Sequence, residues 1–251
     1  MLPEIGPFKT FGLMFGLAFV ACGAVIARRL KELGKPVDWA YEMVFAALLG
    51  GLVGARLYWI LDNWDKAQDD LLGSLFSGSG LTWFGGALGG AAAVLLWARW
   101  RRWLGLQLLD TAAPALAVGY AIGRIGCQLS GDGDYGGPTD LPWAMAYPDG
   151  VIPTDEEVHP TPIYETLAMG LFAIVLWRLR DALRPGALFG IYLVGAGVER
   201  FLVEFVRRND AVLLGLTEAQ LIALAMALGG AIWLVVLARR EGGLKAVTAS
   251  P

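Results

Sequence analysis

The chain has 251 residues, of which 56% are apolar and only 17% charged, with a formal net charge of −3. Soluble domains average about 45–50% apolar and about 25% charged residues, so this composition argues against a soluble globular fold. The apolar residues come in blocks of about 17–25, long enough to cross a bilayer, and predict an all-α polytopic membrane protein with the lipid bilayer as its solvent.

Seven spans are expected in chain order. The first, Phe11–Ala27, is followed by Arg28, Arg29, Lys31 and Lys35, whereas a signal peptide would carry its positive charge ahead of the apolar run; it is read as a retained helix. The second, Tyr41–Leu61, leads into an acidic stretch with Asp62, Asp65, Asp69 and Asp70. The third, Leu81–Ala98, closes on Arg99, Arg101 and Arg102, and the fourth is Leu108–Leu129. A long polar segment, Ser130–Pro160, follows. The fifth span, Thr161–Trp177, ends in Arg178, Arg180 and Arg184; the sixth is Ala187–Val206; the seventh, Leu213–Ala238, ends in Arg239 and Arg240. Most of the 20 Lys and Arg thus sit in the loops after spans one, three, five and seven, which the positive-inside rule assigns to the cytoplasm. The expected topology has the N-terminus and the 130–160 segment outside and the C-terminus cytoplasmic. Residues 1–240 form a single transmembrane domain, and 241–251 a loose cytoplasmic tail. Trp39, Trp59, Trp64, Trp83, Trp97, Trp100 and Trp103 lie near span ends and fit an interfacial aromatic belt.

The remaining positive charges carry the functional question. Arg56, Arg124 and Arg200 fall inside spans two, four and six, and Arg207 at the outer end of span six. A charge inside hydrocarbon is costly and marks a functional site by default. Arg200, Glu204 and Arg207 are spaced i, i+4, i+7, which places them on one helix face and lets Arg200 pair with Glu204. Tyr120, Arg124 and Cys127 or Gln128 share a face of span four. The plain alternative is that these charges only lock helices together or snorkel to the headgroups. The functional alternative is that guanidiniums converge near the outer leaflet on a lipid phosphate, for which their planar fork is suited. That pattern suggests a phospholipid-handling protein without fixing the reaction.

The other polar residues are less specific. His159 is the only histidine and cannot by itself build a histidine metal site; it reads as a loop anchor or a proton-transfer group. Tyr164 and Glu165 read mainly as anchors at the mouth of span five. Gly85 and Gly86 permit close backbone approach, by packing or beside a lipid chain. Gly131, Gly133, Gly136 and Gly137 suit a tight loop, with Asp132 and Asp134 as turn residues. Cys22 and Cys127 lie in apolar helices, where a structural disulfide is not expected.

Several motifs together resemble the prolipoprotein diacylglyceryl transferase family of bacteria: Gly123-Arg124-Ile125-Gly126 with its glycine loop, Pro138-Thr139-Asp140-Leu141-Pro142-Trp143-Ala144, His159-Pro160-Thr161-Pro162-Ile163-Tyr164-Glu165, and Arg200-Phe201-Leu202-Val203-Glu204-Phe205-Val206-Arg207. Weaker echoes are Phe11-Gly12-Leu13-Met14, Gly54-Ala55-Arg56-Leu57, Asp110-Thr111-Ala112-Ala113-Pro114 and Gln220, in family order along nearly the whole chain. The resemblance implies a multi-pass enzyme of the bacterial cytoplasmic (inner) membrane that moves the diacylglyceryl group of phosphatidylglycerol to the lipobox cysteine of a prolipoprotein signal peptide and releases glycerol 1-phosphate. It implies Arg124, Arg200 and Glu204 as catalytic, and Arg124, Arg200, Arg207 and Arg56 as phosphate-binding. Cys127, Gly85, Gly86, Asp132, Gly136, His159, Tyr164 and Glu165 would line or support the site. No cofactor, metal or nucleic-acid partner is implied. Phe84 stands where the family has a histidine, Cys127 where it has an asparagine, and Phe11 and Ala196 where it has tyrosines, a pattern that preserves phosphate binding better than thiol activation. A same-fold transferase with another acceptor or lipid, and a non-catalytic phospholipid-binding protein, are the alternative readings.

Overall fold

Seven long helices account for most of the described residues, which in this computed structural model are 1–68, 73 and 82–246. They are α1 (Thr10–Glu32), α2 (Trp39–Asp62), α3 (Trp83–Trp100), α4 (Leu106–Ser130), α5 (Thr161–Leu179), α6 (Ala187–Val203) and α7 (Glu218–Glu241), with a one-turn helix at Trp64–Ala67. The start of the expected third span at Leu81, Asp69 and Asp70 of the acidic stretch, and residues 247–251 of the tail lie outside the described residues. The molecule is an all-α membrane protein: α1, α2, α5 and α7 are long and apolar enough to cross a bilayer. The other three fall short for legible reasons. Glycine and tryptophan dilute α3, α4 carries Asp110 and Arg124, and α6 has 17 residues including Glu199 and Arg200.

The chain divides into two compact units, Met1–Val25 with Leu109–Pro251, and Ile26–Leu108. In the second unit, glycine decides the packing. A Cβ on Gly54 would meet the Gly89 Cα at 2.7 Å, and one on Gly85 the Ala55 Cα at 2.9 Å. Gly50, Gly54, Gly85 and Gly89 therefore form two small-xxx-small stripes that let α2 and α3 touch backbone to backbone. Gly86 is looser, with the Ala55 Cβ at 3.7 Å. The tryptophan belt needs correcting here. Trp97 and Trp103 are buried, and both rings pack on Trp39 at 5.9 and 5.6 Å instead of facing lipid. Their indole nitrogens find polar partners: Glu42 accepts from Trp97 Nε1 at 2.7 Å and from Arg101 Nε at 2.8 Å, and Gln107 Oε1 accepts from Trp103 Nε1 at 3.1 Å. Trp64 and Trp100 are exposed, as a belt requires. The side chain of Trp83 lies outside the described residues.

In the first unit the core is built from small and medium side chains: Ala113, Ala117 and Ala121 of α4, Met169, Ala173 and Leu176 of α5, and Leu188 of α6. Alanine on α4 permits close helix approach while the larger residues of α5 fill the gap. Asp110, on α4, caps α6 from outside: its carboxylate accepts from Gly186 N at 2.7 Å and Phe189 N at 2.9 Å. That satisfies two of the four orphan donors of a helix start and fixes the helix that bears Arg200.

The polar ends differ from the expected boundaries in three places. Span six stops being α-helical at Val203 and tightens into a 3₁₀ turn, Glu204–Val206, so Arg207 lies just past the helix in extended backbone, at φ −80° and ψ 168°. Span seven begins later, because Ala211–Leu213 (β5) and Leu216–Thr217 (β6) form a hairpin whose turn, Leu214 and Gly215, has φ of 53° and 77°. Thr217 then starts α7 with a capping box, its hydroxyl accepting from Gln220 N at 3.2 Å while Gln220 Oε1 accepts from Thr217 N at 3.0 Å. Residues 242–246 are not loose: Gly242 and Gly243, both at positive φ, turn the chain back so that Ala246 N donates to Ala182 O at 3.0 Å. The 130–160 segment folds around a two-stranded sheet, β3 (Met145–Tyr147) against β4 (Thr154–Val158). The stacked rings of Tyr135 and Tyr147, 4.7 Å apart, form its small core. At the N-terminus, β1 (Glu4–Ile5) and β2 (Phe8–Lys9) make a short hairpin ahead of α1.

Candidate functional site

The first unit gathers three arginines and three carboxylates from four separate stretches. Glu165, on the second turn of α5, is the hub. It has no exposure, and its Oε1 accepts from the Tyr120 hydroxyl at 2.6 Å. The same oxygen faces Arg124 Nη2 at 3.2 Å and Arg200 Nη1 at 3.4 Å, while Oε2 faces Arg207 Nη1 at 3.5 Å. One buried carboxylate thus holds three guanidiniums. Sequence reading treated Glu165 as an anchor of the loop; its central place follows from a helix start that points one residue inward among three others, which spacing along the chain does not reveal.

Glu204 is the second buried carboxylate. Its Oε2 pairs with Arg200 Nη2 at 2.8 Å, the i, i+4 contact expected from sequence, and lies 3.7 Å from Arg207 Nε. Its Oε1 accepts from Asn209 Nδ2 at 2.6 Å and from the Thr217 hydroxyl at 2.9 Å. Thr217 therefore both caps α7 and fixes Glu204. Both oxygens of Glu204 are thus engaged, Oε2 by Arg200 and Arg207 and Oε1 by Asn209 and Thr217.

Asp134 is the third carboxylate, and default turn chemistry missed it. Its two oxygens bind Arg124 and Arg207, while its backbone carbonyl accepts from Arg207 Nη1 at 3.0 Å and the Thr161 hydroxyl at 2.6 Å. Burial alone would push this carboxyl up, but the guanidiniums of Arg124 and Arg207 outweigh it and hold it below the usual carboxylate range. Gly136 allows the loop to close over the cluster: a Cβ there would meet the His159 Cβ at 2.9 Å and the Thr161 Cγ2 at 3.0 Å. Its amide donates to His159 O at 2.8 Å, and that of Gly137 to Val206 O at 2.8 Å, which ties the loop to the end of α6.

The other expected site residues distribute as follows. Cys127 is buried on the Arg124 face of α4, its sulfur 3.8 Å from Arg124 Nη1 and 3.6 Å from Asp134 Oδ2. Cys127, Asp132 and Asp134 offer ligand atoms within 4.8 Å of one another, but both oxygens of Asp134 already hold guanidiniums, which disfavours a further cation. His159 and Tyr164 lie on a neighbouring open groove of about 860 Å³, with His159 Nδ1 3.3 Å from the Tyr164 hydroxyl and Trp143 Nε1 donating to that hydroxyl at 2.7 Å. Arg56, Gly85 and Gly86 belong to the second unit, where Arg56 is buried with its guanidinium 4.6 Å above the Trp59 ring. Sequence reading left out Tyr120 as a hydrogen-bond donor, Asp134, Asn209 and Thr217; of these only the placement of Tyr120 one turn before Arg124 was visible beforehand.

Exposure separates two roles among the arginines. Arg207 is 9% exposed and bound by all three carboxylates, whereas Arg124 and Arg200 are 15% and 23% exposed. Glu165 and Asp134 hold Arg124, and Glu165 and Glu204 hold Arg200, while both guanidiniums keep part of their surface exposed. A guanidinium so oriented binds phosphate with little loss of side-chain freedom.

Known proteins match the chain along most of its length. The sequence model of the prolipoprotein diacylglyceryl transferase family matches residues 1–236. A phosphatidylglycerol–prolipoprotein diacylglyceryl transferase of Chromohalobacter salexigens is 36% identical over 249 residues, covering 94% of this chain and 91% of that protein. The same-named protein of Polynucleobacter asymbioticus is 35% identical, covering 92% and 90%, and that of Clostridium tetani 33% identical, covering 78% and 80%. With the arginine motifs inside the matched span, this chain belongs to the prolipoprotein diacylglyceryl transferase family.

Proposed function

We propose that this protein transfers the diacylglyceryl group of phosphatidylglycerol to the cysteine thiol of a prolipoprotein signal peptide and releases glycerol 1-phosphate. The observation that carries the proposal is the pair Arg124 and Arg200, both held on the buried Glu165, with Arg200 also paired to Glu204 and both guanidiniums still partly exposed. In the reaction the thiol sulfur attacks the lipid glycerol carbon, the carbon–oxygen bond to phosphate breaks, and the thiol proton goes to a base. The phosphodiester gains a second negative charge as it leaves. Arg124 and Arg200 bind it and stabilise that developing charge, a preorganised electrostatic role. Glu165 and Glu204 orient the two arginines, and Asp134 holds Arg124 from the loop side. The displacement transfers no electrons to an acceptor and calls for no redox cofactor.

All seven long helices cross the bacterial cytoplasmic membrane in this reading, with the N-terminus and the 130–160 segment outside, where exported prolipoproteins emerge, and the C-terminus in the cytoplasm. The Lys and Arg after α1, α3, α5 and α7 support that orientation. Residues 1–240 act as one transmembrane domain. The test is transfer of labelled diacylglyceryl from phosphatidylglycerol to a lipobox peptide by the purified protein. Arg124→Ala and Arg200→Ala are each expected to lose about 100-fold or more in rate, the usual loss when one oxyanion donor is removed. No transfer by the wild-type protein with native lipid and native peptide overturns the proposal.

A further inference from the structure

The open groove beside the arginine cluster is walled by α5 and α6 and by residues 141–143 of the loop. Its lining is almost wholly apolar, including Met169, Phe172, Val198 and Leu202, with three exceptions that can exchange a proton: His159, Tyr164 and Glu199. Glu199 is the unexpected one. It shares an α6 face with Gly195, Leu202 and Val203, one residue ahead of Arg200, and Val206 of the 3₁₀ turn extends the same wall. Among the described residues its carboxylate has no hydrogen bond and no ion pair, although Arg124, Arg200, Arg207 and Glu165 all lie within its electrostatic reach. A carboxylate kept in an apolar groove without a partner costs stability, and such a cost is retained where the group has work to do.

The other candidate bases are engaged. Glu204 is bound by Arg200, Asn209 and Thr217, Glu165 by Tyr120 and three arginines, and Asp134 by Arg124 and Arg207. His159 Nδ1 is turned to the Tyr164 hydroxyl, which Trp143 also holds. A lipid chain lying in the groove would have nothing to offer a carboxylate, whereas an apolar peptide segment bearing a thiol would supply both the hydrophobic contact and the proton.

We propose that Glu199 is the general base of the transfer: the acceptor peptide lies in the α5–α6 groove and Glu199 takes the thiol proton as the sulfur attacks the lipid held on Arg124 and Arg200. The inference rests on the function proposed above. The step balances as follows. The S–H proton passes to the Glu199 carboxylate, the sulfur lone pair forms the S–C bond, the C–O electrons stay on the departing glycerol phosphate, and Glu199 returns its proton to water after product release. The groups within electrostatic reach of Glu199 are Tyr120 and Arg124 from α4, Glu165 from α5, Tyr192 and Arg200 from α6, and Arg207 just past it; Tyr164 and His159 line the same groove.

The experiment compares wild type, Glu199→Gln and Glu199→Asp in the labelled transfer assay across pH. At pH 7 a free thiol of pKa about 8.5 is about 3% ionised, so losing the base lowers kcat by about 10- to 30-fold. KM for phosphatidylglycerol is unchanged in Glu199→Gln, because its arginines remain. The deficit shrinks as pH rises toward about 9, where the peptide thiol ionises unaided. Glu199→Asp recovers part of the rate. Equal rates for wild type and Glu199→Gln at neutral pH, or a deficit constant across pH, overturn the assignment of Glu199 while leaving the transferase reading intact. Absence of transfer by wild type overturns both.

Discussion

Glu165 is the residue on which the site depends most. Removing one partner of a buried ion pair strands the others, at a cost of about 3–5 kcal/mol. Glu165→Ala strands three guanidiniums at once, so it is expected to unfold the polar end of the first unit, lowering the melting temperature in detergent together with activity. Glu165→Gln keeps the volume and the hydrogen bond from Tyr120 but lowers activity through misoriented arginines. Asp134 yields a pH prediction. Its carboxyl is held below the usual range in the folded protein by Arg124 and Arg207, so its contribution to stability is present above the unfolded value of about 3.9 and lost as pH falls through the lower folded value. Melting of wild type and Asp134→Asn should differ by a constant amount from neutral pH down to about pH 5, and the difference should vanish only below about pH 3.9. Convergence already at pH 6 would contradict the ion pairing described.

At the scale of elements, one packing device stands out in each unit. Asp110 caps α6 across a helix boundary, and Asp110→Ala is expected to cost about 1 kcal/mol, the usual worth of a helix cap, with Asp110→Asn retaining part of it. Thermal melting in detergent measures both. The glycine contact of α2 and α3 is less forgiving. Gly89→Leu drives a side chain into the Gly54 backbone, 2.7 Å from the first atom added, and is expected to destabilise by about 1–3 kcal/mol or more. Gly12→Leu, whose added Cβ meets nothing within 4 Å, is the matched control and should leave stability unchanged. The helices themselves were legible beforehand, since seven apolar blocks became seven long helices among the described residues. Their ends were not. The 3₁₀ turn after Val203, the hairpin before Thr217 and the return of residues 242–246 each depend on hydrogen bonds to distant chain, which no local pattern announces.

For the molecule as a whole, the proposed orientation makes a direct prediction. A cysteine replacing Asp149 in the 130–160 segment should react with a membrane-impermeant maleimide added outside intact cells, while one replacing Arg102 should react only after lysis. The native thiols interfere little, since Cys127 is buried and Cys22 donates to Ala115 O at 3.1 Å. The reverse pattern would refute the orientation.

The sequence by itself determined the class of solvent, the number of long helices and the presence of arginines that hydrocarbon would reject, because these follow from composition, block length and the cost of burying charge. It also carried the family motifs, and with them Arg124, Arg200 and Glu204. Beyond the i, i+4 pair of Arg200 and Glu204, tertiary structure alone decided which carboxylate serves which arginine. Glu165 and Asp134 lie 41 and 10 residues from Arg124 along the chain and became its partners only when α5 and the glycine loop closed on α4. Tertiary structure also turned Trp97 and Trp103 inward, Trp97 onto Glu42, and set Glu199 in an apolar groove without a partner among the described residues. The physical reason is common to all of these. A charge or an indole N–H reveals from its own sequence only that it needs a partner, and the choice among several available partners belongs to the packing that brings them within reach.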